Sequence, residues 1–432
     1  MNNKKKMNIA IVGLGNIGSY LYKFLLSNKK TLLKKNNCLP NIIYVSAKNK
    51  NKKRNLKISK KKWLKNYLDA TKSTDVDIIV ELIGGAEGPA KKLVFNALKN
   101  KKHVVTANKA LIAKYGDQLS KIAEDNNVNL EYEAAVCGGI PIIRTLKEGL
   151  IANSISKIYG IFNGTSNYIL SSMDKNKLQF EEALDKAKSL GYAESNASSD
   201  LNGDDVASKL KILSSLSFNS FINNSEISIE GIKEIDQIDI HNANLLGYKI
   251  KLLGIAEHKN GKIIQRVHPC LVNINSYIGK INDVLNAVIV DSNPLGRTVL
   301  QGPGAGAGPT CSALVSDLSS ILRGNIKFPF VLSFKERKML KFESITNKLF
   351  SVYLRLDVTD KPGVLSDITK IMSKNKVSIK RLIQNPFKSK KYSSIIIITH
   401  KAKNISISKT IKLLNKKNYL IKKTKIIRIE EH

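Results

Sequence analysis

MNIAIVGLGNIG, residues 7–18, decides the fold. Asn8 to Val12 reads as a buried strand that delivers Gly13, Gly15 and Gly18 at G-x-G-x-x-G spacing. Gly13 allows the tight turn, Gly15 lets backbone approach a pyrophosphate, and Gly18 lets a helix pack closely on the strand. Ile17, Tyr20, Leu21, Phe24 and Leu25 follow at helical spacing. The glycines therefore open a helix, and its first amides, at Asn16 and Ile17, can meet phosphate. A bare strand-to-helix turn can carry the same glycines, so the neighbouring elements matter.

Asn41 to Ala47 reads as the second strand, whose end usually carries an acid for the ribose 2′-hydroxyl. No Asp or Glu occurs before Asp69, whereas Lys48, Lys50, Lys52, Lys53 and Arg54 crowd that end. A cationic loop there suits a 2′-phosphate, so NADPH is expected over NADH; the competing reading makes these lysines part of a general excess. Asp77 to Gly85 is a further strand, ending in Gly84 and Gly85, and Pro89 starts a helix with Ala90, Leu93, Val94, Ala97 and Leu98 as its apolar stripe. The strand His103 to Thr106 leads into TANKAL, which places Thr106, Asn108 and Lys109 at the ligand crevice. Val128 to Val136 is expected as another strand, before the turn CGGIPII. Ser154 to Phe162 then reads as a strand of a different sheet, and Asn163 to Leu170 either caps a helix or holds a ligand.

LGYAESNASSDLNGDDVASKLKIL, residues 190–213, gathers Glu194, Asp200, Asp204, Asp205 and Lys209 in a chain poor in acids. Asp205 and Lys209, four apart, share a helix face with Ile212, Leu213 and Leu216, whereas Lys211 falls on the side of Ser208 and Ser215. An inward lysine beside a carboxylate is a candidate proton donor, since burial draws its pKa toward working pH. The alternative is an ordinary surface ion pair. The stretch 226–231, then 245–257 and 262–272, reads as helix and strands, with His268 a lone structural histidine. Glycines 302, 304, 306 and 308 precede Pro309 and a helix striped by Ala313, Leu314, Leu318 and Leu322. Gly304 and Gly306 thus form a second loop for phosphate or nicotinamide, and the helix is expected to return to the first domain. After a weakly patterned stretch, 349–432 reads as a βαββαβ module.

The 432 residues and 42% hydrophobic content suffice for several packed cores. No apolar run spans a bilayer, and MNNKKK enters the first strand without a cleavable leader, so a cytoplasmic protein is expected. Cys38, Cys137, Cys270 and Cys311 stand singly, without C-x-x-C pairs, so neither a disulfide framework nor a structural zinc site is expected. A net charge of +36 also fits a polyanion binder. The excess is lysine spread over every segment without arginine and aromatic interleaving, so no specific nucleic acid is expected.

GLGNIG, ELIGG, HVVTANKAL, EAAVCGGIPII, GIFNGTSNYIL, LGYAE with DLNGDDVASK, and GPGAGAGPT resemble, in order, the homoserine dehydrogenase family. The resemblance implies NAD(P)H-dependent reduction of aspartate semialdehyde to homoserine, on the shared route to threonine, methionine and isoleucine. It implies Lys209 as proton donor, Lys109 at nicotinamide and substrate, and Glu194, Asp205 and Asp200 around the substrate. Glu133 with the backbone of Val136, Gly138 and Ile140 would hold a monovalent cation, sodium being expected. Ser195, Asn196 and Ala197 depart from the family's Asp-Pro after Ala-Glu, which leaves the shape of the substrate loop open. LDVTDKPGVLSDI resembles an ACT domain, for which threonine feedback or plain dimerisation are the two readings. No kinase segment precedes the first strand, so the monofunctional form is expected.

The expected architecture is α/β: a Rossmann-type dinucleotide-binding domain (1–137, completed by 305–330), an α+β catalytic domain with a mixed sheet (138–304), a linker (331–348) and an ACT-like domain (349–432). A dimer or tetramer is expected. A related amino-acid dehydrogenase, and a cofactor-sensing regulator that has lost catalysis, are the alternative functions.

Overall fold

In the computed structural model, which describes residues 5–222, 227–386 and 392–431, the opening apolar run becomes β1 (Lys6–Val12) and the glycines lead into α1 (Asn16–Ser27). Alternation continues through α2 (Lys29–Asn36), β2 (Leu39–Ser46), α3 (Asp69–Lys72), β3 (Ile78–Glu81) and α4 (Pro89–Lys99). Next come β4 (His103–Thr106), α5 (Lys109–Asp125) and β5 (Leu130–Glu131). The strands form a parallel sheet in the order β2-β1-β3-β4-β5. Its order reverses between β1 and β3, which opens a crevice at their carboxyl ends. All five apolar positions expected of α4 are buried. Tyr20 is 45% exposed instead of joining the α1 stripe, because its ring runs out toward Gly308.

The stretch 128–136 is strand only at Leu130–Glu131, and Glu133–Ala135 coil into a 3-10 turn. The cause is local: the Glu133 amide donates to Asp317, and its carboxylate turns inward to accept the amides of Ile143 and Arg144. No neighbouring strand can use those groups.

Beyond α6 (Ile142–Arg144), the chain enters β6 (Ser154–Ile161), α7 (Gly164–Asn176), α8 (Phe180–Ser189), α9 (Ser198–Asn202) and α10 (Asp204–Ser217). Of the stretch 226–231, Glu226 lies outside the described residues, and β7 (Ser228–Ile229) follows. Then come α11 (Gln237–Leu245), β8 (Tyr248–Lys259), β9 (Lys262–Asn273), β10 (Leu285–Asn293) and β11 (Gly296–Pro303). The helices bury Ile169, Ala183 and Leu210 with Ile158, Leu252 and Val288 of the sheet in one core. Residue 215, expected on the open side of α10, is buried too, since that helix is enclosed along most of its length. α12 (Ala307–Leu322) leaves this sheet and packs on α1, where Cys311, Leu314 and Leu318 share a core with Ile9, Ile11 and Val80.

The segment 331–348 is packed instead of running free. Arg337, fully enclosed, stacks 4.1 Å from the Phe330 ring and bonds Asp117 at 2.8 Å and Ser120 at 2.7 Å. β12 (Lys341–Phe342) pairs with β9. The tail supplies β13 (Leu349–Thr359), α13 (Val364–Lys374), β14 (Ile379–Pro386), β15 (Tyr392–Thr399), β16 (Ala402–Lys403), α14 (Asn404–Leu414) and β17 (Lys425–Glu430). Its strands run β17-β13-β15-β14, the split βαβ arrangement, with α13 and α14 on one face. β17 also pairs with β9, parallel, Arg428 opposite Cys270. The catalytic and C-terminal sheets are therefore one surface, β11-β10-β6-β8-β9-β17-β13-β15-β14. The second edge of β9 takes three partners in turn, β12 at residues 262–263, β7 at 266–267 and β17 at 270–272.

Candidate active site

At the crevice, close packing dictates the glycines. Gly13 adopts φ +111°, and a Cβ there would stand 2.4 Å from the Leu82 carbonyl oxygen; one on Gly18 would stand 2.1 Å from that of Gly13. A Cβ at Gly15 would meet open space, so the backbone opening α1 is presented to the crevice. Glu81, buried at the end of β3, accepts from the amides of Ile83 at 2.7 Å and Gly84 at 3.0 Å and from the Thr106 hydroxyl at 2.5 Å. Asn108 caps α5 through the Leu111 amide and donates to the Gly85 carbonyl at 2.7 Å. The ends of β3 and β4 are thereby tied into one rim. Glu81 is a site residue that sequence reasoning missed; an acid closing the apolar run DIIVE was its signal.

Of the basic residues after β2, Arg54 is folded inward. It donates to the carbonyls of Leu14 (2.8 Å), Lys52 (2.9 Å), Asn49 (2.6 Å) and Lys50 (3.2 Å), which leaves one N–H free. Its part is to hold the loop against the glycine turn, while Lys48 stays exposed at the end of β2. Gly304 and Gly306 lie in the turn before α12; the Gly139 amide donates to the Pro303 carbonyl, so this turn touches the 137–140 loop.

The charged centre forms around Asp205, only 4% exposed at the start of α10. One carboxylate oxygen pairs with the Lys109 ammonium; the other accepts from Lys209 at 2.7 Å and from the Asn163 amide at 2.9 Å. Lys209 also donates to the Phe162 carbonyl at 2.6 Å, which leaves one N–H uncommitted. The Asn163 amide bridges to Asp200 at 2.7 Å, while its oxygen caps α7 at the Ser166 amide. The capping reading of that loop holds, and the same carboxamide links Asp200 to Asp205. The Phe162 carbonyl left no signal in the sequence.

Electrostatics corrects one expectation. Burial pulls the Lys209 pKa down, as expected, but the Asp205 charge and hydrogen bond outweigh it, and the ammonium ends above its usual range. Asp205 is conversely desolvated yet held well below the carboxylate range by Lys209 and Lys109. Burial raises Asp200, aided by Asp205 nearby. Lys109 is 41% exposed and forms the outer lip. Glu194 is not drawn into this cluster: it is exposed on the 190–197 loop, which the Thr165 hydroxyl pins through the Tyr192 carbonyl at 2.6 Å.

Glu133 is 3% exposed, with its carboxylate on the amides of Ile143 (2.9 Å) and Arg144 (2.8 Å), and burial pushes it up to about 7. Val136, Gly138 and Ile140 follow in a loop whose Cys137 and Gly138 take φ +54° and +51°. Among the described residues no side-chain cation contacts this buried carboxylate, and an oxygen donor set of a carboxylate with backbone carbonyls is the kind a hard cation takes.

His268 is less isolated than its sequence context implied. It, Cys270 and Glu430 bring potential ligand atoms within 4.8 Å of one another. Arg266, however, holds Glu430 through Nη2 at 2.7 Å and Nε at 3.2 Å. Burial first, then Arg428 and Arg266, keeps the imidazole neutral well below its usual pKa. A metal ion there would face the same two guanidiniums, so the cluster is an ion-paired joint.

Residues 13–133 match the family "Homoserine dehydrogenase, NAD binding domain", 141–319 match "Homoserine dehydrogenase", and 352–418 match "ACT domain". The chain is 38% identical to a homoserine dehydrogenase of Neisseria gonorrhoeae over 99% of both chains, and 36% identical to one of Bacillus subtilis over 95% of both. A crystal structure of a homoserine dehydrogenase from Thiobacillus denitrificans superposes with a TM-score of 0.92 at 35% identity, covering 99% of each chain. A hyperthermophilic archaeal homoserine dehydrogenase in complex with NADPH superposes at 0.62 and 25% identity, covering 75% of this chain and 99% of its own.

Proposed function

The chain belongs to the homoserine dehydrogenase family, an NAD(P)-dependent oxidoreductase with a C-terminal ACT domain, and from that premise we propose that it reduces L-aspartate 4-semialdehyde to L-homoserine with NADPH, Lys209 giving the proton. The observation that carries this is the enclosed Asp205 centre, which holds two ammonium groups beside the nucleotide crevice.

The crevice fits a dinucleotide, because the amides of Asn16 and Ile17 open α1 where Gly15 leaves space, and no acid closes β2. When bound, NADPH supplies the hydride. As negative charge develops on the aldehyde oxygen, the Lys209 ammonium stabilises it and delivers its uncommitted proton. Asp205 fixes both lysines and keeps Lys209 charged. Asp200 and Glu194 offer acceptors for the substrate α-ammonium, Glu194 from the outer loop. Glu133 with the carbonyls of Val136, Gly138 and Ile140 would hold sodium and brace the junction of 137–140 with the Gly304 loop. The same reading makes the enzyme a cytoplasmic homo-oligomer that supplies homoserine toward threonine, methionine and isoleucine, with threonine as the effector of its ACT domain.

Loss of NADPH absorbance with aspartate semialdehyde tests the assignment; no turnover with NADPH or NADH overturns it. Run beside it, Lys48→Gln with Lys53→Gln is expected to raise the KM for NADPH about tenfold, the loss of a charged contact, and to leave NADH unchanged. Equal effects on both cofactors would remove the 2′-phosphate role. Exchanging sodium for a bulky organic cation is expected to lower the melting temperature of the wild type and to leave Glu133→Gln unaffected; equal responses would refute the cation site.

A further inference from the structure

β17 and the segment 228–232 meet along one edge of β9. Arg428 of β17 is 7% exposed, and its Nη1 donates to Glu230 at 2.7 Å. Glu230 is fastened to β9 by its own amide, which donates to the Val267 carbonyl at 2.8 Å. Gly231 then presses on the end of α9. A Cβ there would stand 2.2 Å from the Leu201 carbonyl oxygen and 2.8 Å from the Asn202 Cα, and the Ile232 amide donates to that same carbonyl at 2.9 Å.

Leu201 and Asn202 directly follow Asp200, and Gly203 turns the chain into α10 and Asp205. A Cβ on Gly203 would lie 3.1 Å from side-chain atoms of both Ile229 and Val267. The turn that carries both carboxylates thus rests on 228–232, backbone against backbone, with no long side chain between them to absorb a shift.

We propose that Arg428 is a positioning residue for substrate binding: by holding Glu230 it fixes the segment 228–232, and thereby sets where Asp200 stands, while Asp205 keeps its own anchors in Lys109, Lys209 and Asn163. The C-terminal module reaches that segment through the Arg428–Glu230 ion pair, while Arg355 ties it separately to Asp236 and Asp239. This rests on the function proposed above and assigns Arg428 no contact with substrate or cofactor. The ring of Phe350, 5.4 Å from the guanidinium, helps hold it in place.

The test compares Glu230→Gln, Arg428→Gln and the double variant in the full chain. The Glu230 side chain is 44% exposed, so its amide replacement is the variant least prone to unfold. Each single change is expected to raise the KM for aspartate semialdehyde about 3- to 20-fold, the range for breaking a remote contact. The kcat and the KM for NADPH should stay within about twofold, and the double variant should be no worse than the worse single one. An unchanged substrate KM in both singles, additive effects in the double, or losses that fall on kcat and track a lower melting temperature would overturn the proposal. A wild type inactive on aspartate semialdehyde would instead overturn the assigned reaction, so the two failures are told apart.

Discussion

Lys209→Ala is expected to lower kcat for aspartate semialdehyde reduction about 100- to 10,000-fold, the usual loss on removing a positioned acid, with NADPH affinity little changed. The ammonium is buried and held by Asp205 and the Phe162 carbonyl, so neither water nor a mobile side chain replaces it in place. Lys109 stays paired to the opposite oxygen of Asp205, so the centre keeps one cation and its fold. That makes the loss chemical. Lys209→Arg separates two contributions: it keeps positive charge but is a poor acid, and should recover only the part due to charge stabilisation. Because Asp205 raises the Lys209 pKa, reduction should hold its rate into alkaline pH, whereas homoserine oxidation, which needs the free amine, should climb with pH. Residual activity within about tenfold of wild type would move the proton to Lys109 or water.

Arg266→Met is expected to destabilise the folded protein by about 3–5 kcal/mol, the cost of breaking a buried ion pair from one side. The guanidinium is fully enclosed and joins Glu257 on β8 at 2.9 Å to Glu430 on β17 at 2.7 Å. Glu257 would retain Lys348 and Lys157, but Glu430 would be left buried without a cation. Adding Glu430→Gln should therefore recover a large share of the loss. Glu257 is desolvated, yet Arg266 and Lys348 hold it down to about 2. Its contribution is thus complete above the unfolded value of 4.5 and is lost as pH falls through about 2. Equilibrium unfolding in denaturant measures both effects. A change below about 1 kcal/mol would mean that water or Lys348 compensates.

Local chemistry made much of this legible. The glycines, the α4 stripe and the Asp205–Lys209 spacing are short-range patterns, and each appears where its period places it. Glu133 misled because its partners, the amides of Ile143 and Arg144, lie past a turn that no strand pattern announces. Arg54 looked free for phosphate because basic composition says nothing about backbone carbonyls folded around it. The direction of the Lys209 shift needed the balance between burial and the Asp205 contact, which spacing alone does not give. The joining of β9 to β17 was illegible for a different reason: parallel pairing across a long stretch of chain leaves no signature in either strand.

That pairing bears on the order in which the molecule can assemble. Residues 262–273 leave the ribosome well before 425–430, so the second edge of β9 stands with open hydrogen-bonding groups while the tail is being made. During that interval β12 and β7 cover only its first half. The half meant for β17, rich in apolar residues, can accept a strand from another nascent chain. Yield in the cell should therefore depend on how fast the tail arrives, and a slowed or shielded synthesis would change the soluble fraction without altering one native contact.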